Sequence, residues 1–193
     1  MKVALSVTGI LWLALELALL VRDRVRGTGG TSRDQGTRSV NFVLIVIAIV
    51  VSEALAAVIG KHSPLRIPGA GPGGWPLITG LIVIWLGLVI RMWAVVVLGR
   101  SFRTTVEVDA AQPVVSRGPY RWVRHPSYTG LLLIAAGYGL ALSTWPGLAI
   151  CLVLPGVAIL RRIGVEESEL TRVLGDPYRS YRDRTKRLVP GLW

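Results

Sequence analysis

The sequence predicts an all-α integral membrane protein with five transmembrane helices, and three observations carry that reading. First, 52% of the 193 residues are hydrophobic and only 17% are charged, with a mean hydropathy of +0.55. A chain of this size cannot hide so much apolar surface in a soluble core. Second, the 35 residues from Pro126 to Leu160 carry no formal charge. A bilayer crossing takes ~20 apolar residues, or ~17 when short, so this stretch is long enough for two crossings and too long for one. Third, Lys and Arg are concentrated on one side of the pattern. Segments 22–38, 100–124 and 161–193 hold five, five and eight of them, against Lys2, Lys61 and Arg66 on the other side. Under the positive-inside rule this places the N-terminus outside and the C-terminus in the cytoplasm.

The elements follow in order. Residues 3–21 form the first apolar run, interrupted by Glu16 and closed by Arg22-Asp23-Arg24-Val25-Arg26. It has no small-residue cleavage site and reads as an anchor, not a signal peptide. Residues 27–39, rich in Gly, Ser, Thr and Arg, form a polar loop. The second crossing spans about 40–60 and contains Glu53; the third spans 76–98 and contains Arg91. The fourth and fifth, 127–143 and 146–160, make a hairpin that turns at Ser143-Thr144-Trp145-Pro146-Gly147. Residues 1–193 are thus one polytopic membrane domain, with three N-terminal helices in 1–98 and a second half, 99–193, organised around the hairpin 127–160. Trp75 and Trp145 suit the outer interface and Trp122 the inner one.

Several functional classes are disfavoured by the same inventory. The net charge of +11 sits in segments that flank apolar runs, the pattern of an inner membrane face and not of a nucleic-acid surface. Cys151 is the single cysteine, so disulfides and cysteine-rich metal sites are excluded and a buried packing thiol is expected. His62 and His125 are far apart, and no residues have metal-ligand spacing. Gly69, Gly71 and Gly74 satisfy G-x-G-x-x-G, but no strand precedes them and Trp75-Pro76 opens a membrane helix, so they read as a flexible outer loop.

Three polar pieces on the cytoplasmic side carry the candidate chemistry. The first runs from Gln112-Pro113-Val114-Val115 through Gly118-Pro119-Tyr120-Arg121 to Arg124-His125-Pro126-Ser127-Tyr128, straight into the fourth crossing. Pro126 suits the first turn of that helix, and a helix N-terminus beside Tyr120, His125 and Tyr128 can grip a polar ligand. The second follows the fifth crossing. On a continuing helix Arg162 and Glu166 share a face and can pair, a carboxylate there can bind hydroxyls or an amino group, and a guanidinium can hold a substrate carboxylate by two contacts. The third, Gly175 to Trp193, reads as an amphipathic tail folding back under the bundle, with tyrosines toward the membrane or site and arginines toward acidic lipid. Taken singly, each piece also fits interfacial anchoring or ordinary ion pairs.

Taken jointly, they resemble a known family. Gly118-Pro119-Tyr120-Arg121 with Arg124-His125-Pro126-Ser127-Tyr128-x-Gly130, then Glu166-Glu167-x-x-Leu170 and Gly175-x-x-Tyr178-x-x-Tyr181, are similar to the isoprenylcysteine carboxyl methyltransferase family, integral membrane enzymes related to phospholipid N-methyltransferases. The resemblance covers residues 99–190. It implies S-adenosyl-L-methionine as cofactor, S-adenosyl-L-homocysteine as product, and a cytoplasm-facing pocket made by the 99–128 segment and the C-terminal helix and tail. It implies that Gln112, Pro113, Val114, Val115, Tyr120, His125, Pro126, Ser127 and Tyr128 hold the cofactor together with one glutamate of the post-hairpin pair, Glu166 ahead of Glu167. Gln112 stands where many relatives have histidine. Arg162 would hold the acceptor carboxylate, Arg124 would support the site, and Glu167 would take a proton if the acceptor were an amine. The implied acceptor is a prenylcysteine-like or other lipophilic molecule, a small molecule or a prenylated substrate, taken from the lipids of a bacterial-type inner membrane or its equivalent. No metal or nucleic acid is implied.

Other acceptors and classes remain open on the sequence: N-methylation of a phospholipid amine, S-methylation of a small thiol, an NADPH-dependent reductase of sterol-like lipids using Arg117, Arg121 and Arg124, or a non-catalytic lipid-binding scaffold. Three ionisable residues inside crossings are functional candidates by default. Glu16 and Arg91 lie ~9 and ~13 Å from the cytoplasmic ends of their helices at ~1.5 Å per residue, at depths that allow pairing. Glu53, in the outer half of its crossing, calls for a polar partner that the sequence does not name.

Overall fold

The computed structural model describes residues 2–25, 37–102 and 113–191. Its elements are α1 (Lys2–Val25), α2 (Thr37–Val58), α3 (Trp75–Leu98), α4 (Pro126–Ala141), α5 (Trp145–Leu174) and α6 (Asp176–Arg184), with 3₁₀ turns at Gly99–Ser101 and Gly118–Arg121. The chain is an all-helical integral membrane protein. Four helices, α1, α2, α3 and α5, are long and apolar enough to cross a bilayer. The expected fourth crossing is α4, whose 16 residues span ~24 Å at ~1.5 Å each, shorter than the others. The expected fifth crossing is much longer than its apolar part: α5 runs on for 30 residues, ~45 Å. Its uncharged portion ends at Leu160, so Arg161 to Leu174 project beyond a hydrocarbon core ~30 Å thick.

Backbone contact between α3 and α4 sets the arrangement. Gly80 and Gly87 on α3 face Gly137 and Gly130 on α4. A Cβ added at Gly87 would lie 2.6 Å from the Gly130 carbonyl oxygen, and one at Gly137 would lie 2.6 Å from that of Gly80. Lipid gives no hydrophobic push between helices, so small residues that permit this approach supply the packing. Ile84, Leu88 and Ile134 fill the seam, with Trp12 and Leu15 of α1 and Tyr138 against them. Ser52 of α2 donates to the Gly147 carbonyl of α5 at 3.1 Å and lies 3.3 Å from Cys151 Sγ. The cysteine is a buried packing thiol, as its apolar setting implied.

The two polar ends are distinct. At one, the chain after α2 pairs with the α4–α5 turn: Ile67 N–H donates to Ser143 O and Trp145 N–H to Leu65 O, both at 3.0 Å. Ser143 turns the chain with φ 59. The glycines of the G-x-G-x-x-G stretch form a compact turn at this end, with the Trp75 indole donating to Pro68 O at 2.7 Å. A Cβ on Gly74 would collide with Gly69 O. At the other end lie 113–125, the projecting part of α5, and α6 with its tail.

The ionisable groups of α1 and α3 do pair. Arg91 donates through Nε and Nη2 to the two oxygens of Glu16, at 2.6 and 2.7 Å, and through Nη1 to Ser127 Oγ at 2.6 Å. One guanidinium thereby ties α1, α3 and the first turn of α4. Glu53 accepts the hydroxyl of Tyr138 across the α2–α4 boundary.

Replacing Gly87 with Leu should destabilise the purified protein by more than the ~1–3 kcal/mol usual for overpacking, because backbone and not a movable side chain blocks the added atoms. Gly9→Ala, where a Cβ meets nothing within 4 Å, should leave the melting temperature unchanged. Thermal unfolding of both variants in detergent checks this.

Candidate active site

Three sequence segments converge because the hairpin returns the chain to where it entered. Gly118, with φ 59, opens the turn that buries Pro119 and Tyr120; a Cβ there would approach Val97 to 2.9 Å. His125 caps α4, its carbonyl accepting from Tyr128 N–H at 3.0 Å and Thr129 N–H at 3.1 Å, and Pro126 takes the first helical position. The tail then lies along this segment. Arg124 N–H donates to Lys186 O at 2.7 Å, His125 N–H to Arg187 O at 3.0 Å, and Lys186 N–H to Trp122 O at 3.3 Å. Thr129 Oγ1 donates to Leu188 O at 2.7 Å, and Leu188 is buried against Ile159 and Ile163 of α5.

The two adjacent glutamates of α5 have different surroundings. Glu167 is buried and engaged through both oxygens: Oε1 accepts from Arg124 Nε at 2.9 Å and meets His125 Nε2 at 3.1 Å, while Oε2 accepts from Arg187 Nε at 3.2 Å. Burial alone would push its carboxyl up, but hydrogen bonds from His125 and Arg124 outweigh burial and hold it at about 2. Glu166 belongs to a separate chain of bonds. Arg162 Nε donates to Tyr128 Oη at 2.7 Å, and that hydroxyl donates onward to Glu166 Oε2 at 2.7 Å. Arg162 and Glu166 therefore meet through the phenol instead of as the direct pair that their spacing suggested.

The tail contributes two buried tyrosines while Arg179, Arg182 and Arg184 stay exposed. Tyr181 donates to Tyr120 O at 2.7 Å, and burial pushes its phenol up to about 12. Tyr178 is 3% exposed, and its hydroxyl is a buried polar atom with no hydrogen-bond partner. Burial, and then the charges of Glu167 and Glu166, keep that phenol protonated. An orphaned buried hydroxyl within the electrostatic reach of both glutamates leaves hydrogen-bonding capacity for a ligand.

Of the residues that the sequence singled out, Arg124, His125, Tyr128, Arg162, Glu166 and Glu167 are brought into this cluster, with Tyr120 beside it and Pro126 starting α4. Ser127 is not: its hydroxyl accepts from Arg91, on the side facing α3. Pro113, Val114 and Val115 form an irregular segment before the turn, and Gln112 lies outside the described residues. The sequence reading missed Arg187, hidden in an ordinary basic run, and left Tyr178 without a specific role. Among the described residues no group of three or more His, Cys, Asp and Glu could hold a metal ion.

An all-helical membrane bundle with a dense cluster of buried ionic and phenolic groups at one end has the architecture of a membrane-embedded enzyme. Comparison with known proteins makes the class specific. Residues 79–172 match the model of the isoprenylcysteine carboxyl methyltransferase family. Protein-S-isoprenylcysteine O-methyltransferase A of Arabidopsis thaliana is 31% identical over 156 residues, which are 78% of this chain and 79% of that protein. The corresponding enzyme of Xenopus laevis is 31% identical over 60% of this chain and 41% of its own length. The solved structure of a eukaryotic intramembrane Ras methyltransferase of this family superposes with a TM-score of 0.57 at 25% identity, covering 81% of this chain and 52% of that one. The chain belongs to the isoprenylcysteine carboxyl methyltransferase family, and spans about half the length of the solved relative.

Glu167→Gln should lower the melting temperature, since breaking one partner of a buried ion network costs about 3–5 kcal/mol. The depressed carboxyl adds stability that is fully present above the ordinary value of 4.5 and lost as pH falls through about 2. The gap in melting temperature between the parent and this variant should be constant from pH ~5 to ~8 and shrink below ~4.5.

Proposed function

We propose that this chain is an S-adenosyl-L-methionine-dependent methyltransferase that esterifies the carboxylate of a prenylcysteine-like acceptor drawn from the bilayer. The observation that carries the reading is the bonded line Arg162–Tyr128–Glu166, which sets a cation and an anion at fixed places, the anion within electrostatic reach of the orphaned Tyr178 hydroxyl. In this reading Glu166 and the 113–115 backbone hold the cofactor, with Tyr120, Tyr128 and Tyr178 around it. These residues fit such a group: a carboxylate answers an amino group or ribose hydroxyls, and a buried phenol answers a polar atom that no protein group meets. When bound, S-adenosyl-L-methionine supplies an electrophilic methyl group and leaves as S-adenosyl-L-homocysteine.

The chain's own residues have a short list of tasks. Arg162 holds and orients the acceptor carboxylate, and its bond to Tyr128 limits how far it can swing. An ionised carboxylate is already a nucleophile at neutral pH, so no side chain has to take up a proton. Glu167, held at about 2, is poorly suited to do so; together with Arg124 and His125 it positions the site. Proximity and orientation can contribute ~7–11 kcal/mol toward the barrier. Five crossings, with α4 as the short one, would leave the site on the cytoplasmic face of the membrane, where eighteen of the basic residues lie. Residues 99–193 then form the catalytic half.

Labelled S-adenosyl-L-methionine offered with prenylcysteine, aminophospholipid and thiol acceptors tests the proposal. Base-labile methyl ester should form on prenylcysteine, and label on the amine alone would defeat it. Arg162→Ala should lower kcat/KM for the acceptor ~10- to 100-fold, the loss of a charged hydrogen bond of about 1.5–3 kcal/mol. Arg162→Lys should restore little, because a two-pronged contact needs the guanidinium. Glu166→Gln should act chiefly on the KM for the cofactor.

A further inference from the structure

A chamber of about 1170 Å³ lies among α1, α2, α3, α4 and α5 and the turn 61–72, away from the cluster described above. Leu131, Ile134 and Ala135 form its α4 wall, and Trp12, Glu53 and Tyr138 also line it. Tyr138 stands ten residues beyond Tyr128 on α4, ~15 Å along the helix, so a group bound there is not at the methyl-transfer position. The polar lining is unusual for a space at membrane depth. Glu53 accepts one hydrogen bond, from Tyr138, on Oε1. Among the described residues no salt bridge reaches Glu53. Lys61 and Arg66 line the turn end of the same chamber; Arg66 uses Nη2 on the carbonyls of Ala56 and Ile59 at 2.8 and 2.9 Å, and its Nε has no partner among the described residues.

A carboxylate inside a membrane span is costly until a cation meets it, and such residues mark binding sites and pathways. Trp12 adds a buried indole N–H without a partner, and tryptophan and tyrosine rings attract ammonium groups. A purely hydrocarbon occupant would leave all of this unanswered. We propose that the chamber binds an amphiphile whose ammonium group meets the Glu53 carboxylate while its chain lies along Leu131, Ile134 and Ala135. The site is independent of the proposed methyl transfer, and complementary charge selects its ligand.

The full chain in lipid nanodiscs is titrated with dodecylammonium, dodecanol and dodecanoate while tryptophan fluorescence is followed. Dodecylammonium should bind at least tenfold more tightly than dodecanol, and in Glu53→Gln that preference should vanish while dodecanol binding is unchanged. A second readout needs no variant: an apolar carbodiimide should modify Glu53, found by mass spectrometry, and dodecylammonium but not dodecanol should protect it. Equal affinity for amine and alcohol, a preference that survives Glu53→Gln, or protection by dodecanol to the same extent would overturn the proposal.

Discussion

The contact of α3 with α4 through Gly80, Gly87, Gly130 and Gly137 is the constraint on which the other geometry depends. With any side chain in that seam the two helices would stand further apart, and Arg91 of α3 would no longer reach Ser127 in the first turn of α4. That turn also presents His125 and Tyr128. The same guanidinium holds Glu16 of α1, so a backbone approach in the apolar layer governs both the outermost helix and the entrance to the polar cluster. The buried ion pair stabilises the bundle less than it specifies it. Its desolvation cost offsets much of its attraction, but breaking either side would leave a charge stranded in lipid.

Glu166 and Glu167 show how one turn of helix gives adjacent carboxylates different partners. Successive residues on a helix point about a third of a turn or less apart, so one carboxylate can face the tail while its neighbour faces Tyr128. Glu167 gathers Arg124, His125 and Arg187, three residues from two distant segments, and joins the α4 entrance, α5 and the tail. Both of its oxygens are engaged. Glu166 accepts one side-chain bond, from Tyr128, and keeps the capacity to receive a ligand. The arrangement therefore assigns rigidity to the inner carboxylate and availability to the outer one.

Much of this was legible in the sequence, and the remainder was not for identifiable reasons. Uncharged runs and basic borders located α1 to α4 and the start of α5 within a few residues, since membrane insertion depends on composition over long windows; they did not mark the end of α5, which runs on to Leu174 as a charged helix. The Arg91–Glu16 pair was accessible from depth alone. The α3–α4 seam was present as two glycine pairs seven residues apart, but a reading based on length passed over it. Glu53's partner could not be inferred, because the choice of Tyr138 depends on how α2 packs beside α4. Ser127 was assigned to the cofactor from its place in a motif. Helical periodicity turns its hydroxyl to Arg91 instead, one position away from residues that face the cluster. Arg187 shows the opposite limit: nothing in a basic tail marks which arginine will be pulled inward.

The tail is more than a cover. Its backbone at Lys186, Arg187 and Leu188 supplies carbonyls to Arg124 N–H, His125 N–H and the Thr129 hydroxyl, donors that would otherwise be unsatisfied at the membrane surface. Arg124 in turn donates to the carbonyls of Arg182 and Thr185, so the same side chain that binds Glu167 also caps α6. These bonds close polar groups belonging to the α4 entrance, and Arg187 adds one to Glu167 of α5, so the tail and the cluster hold one another in place. Without residues 185–188 the Glu167 network would lose Arg187, and the entrance to α4 would lose the partners that hold His125 and Tyr128 stacked 5.6 Å apart. Such closure holds the few groups of the cluster still.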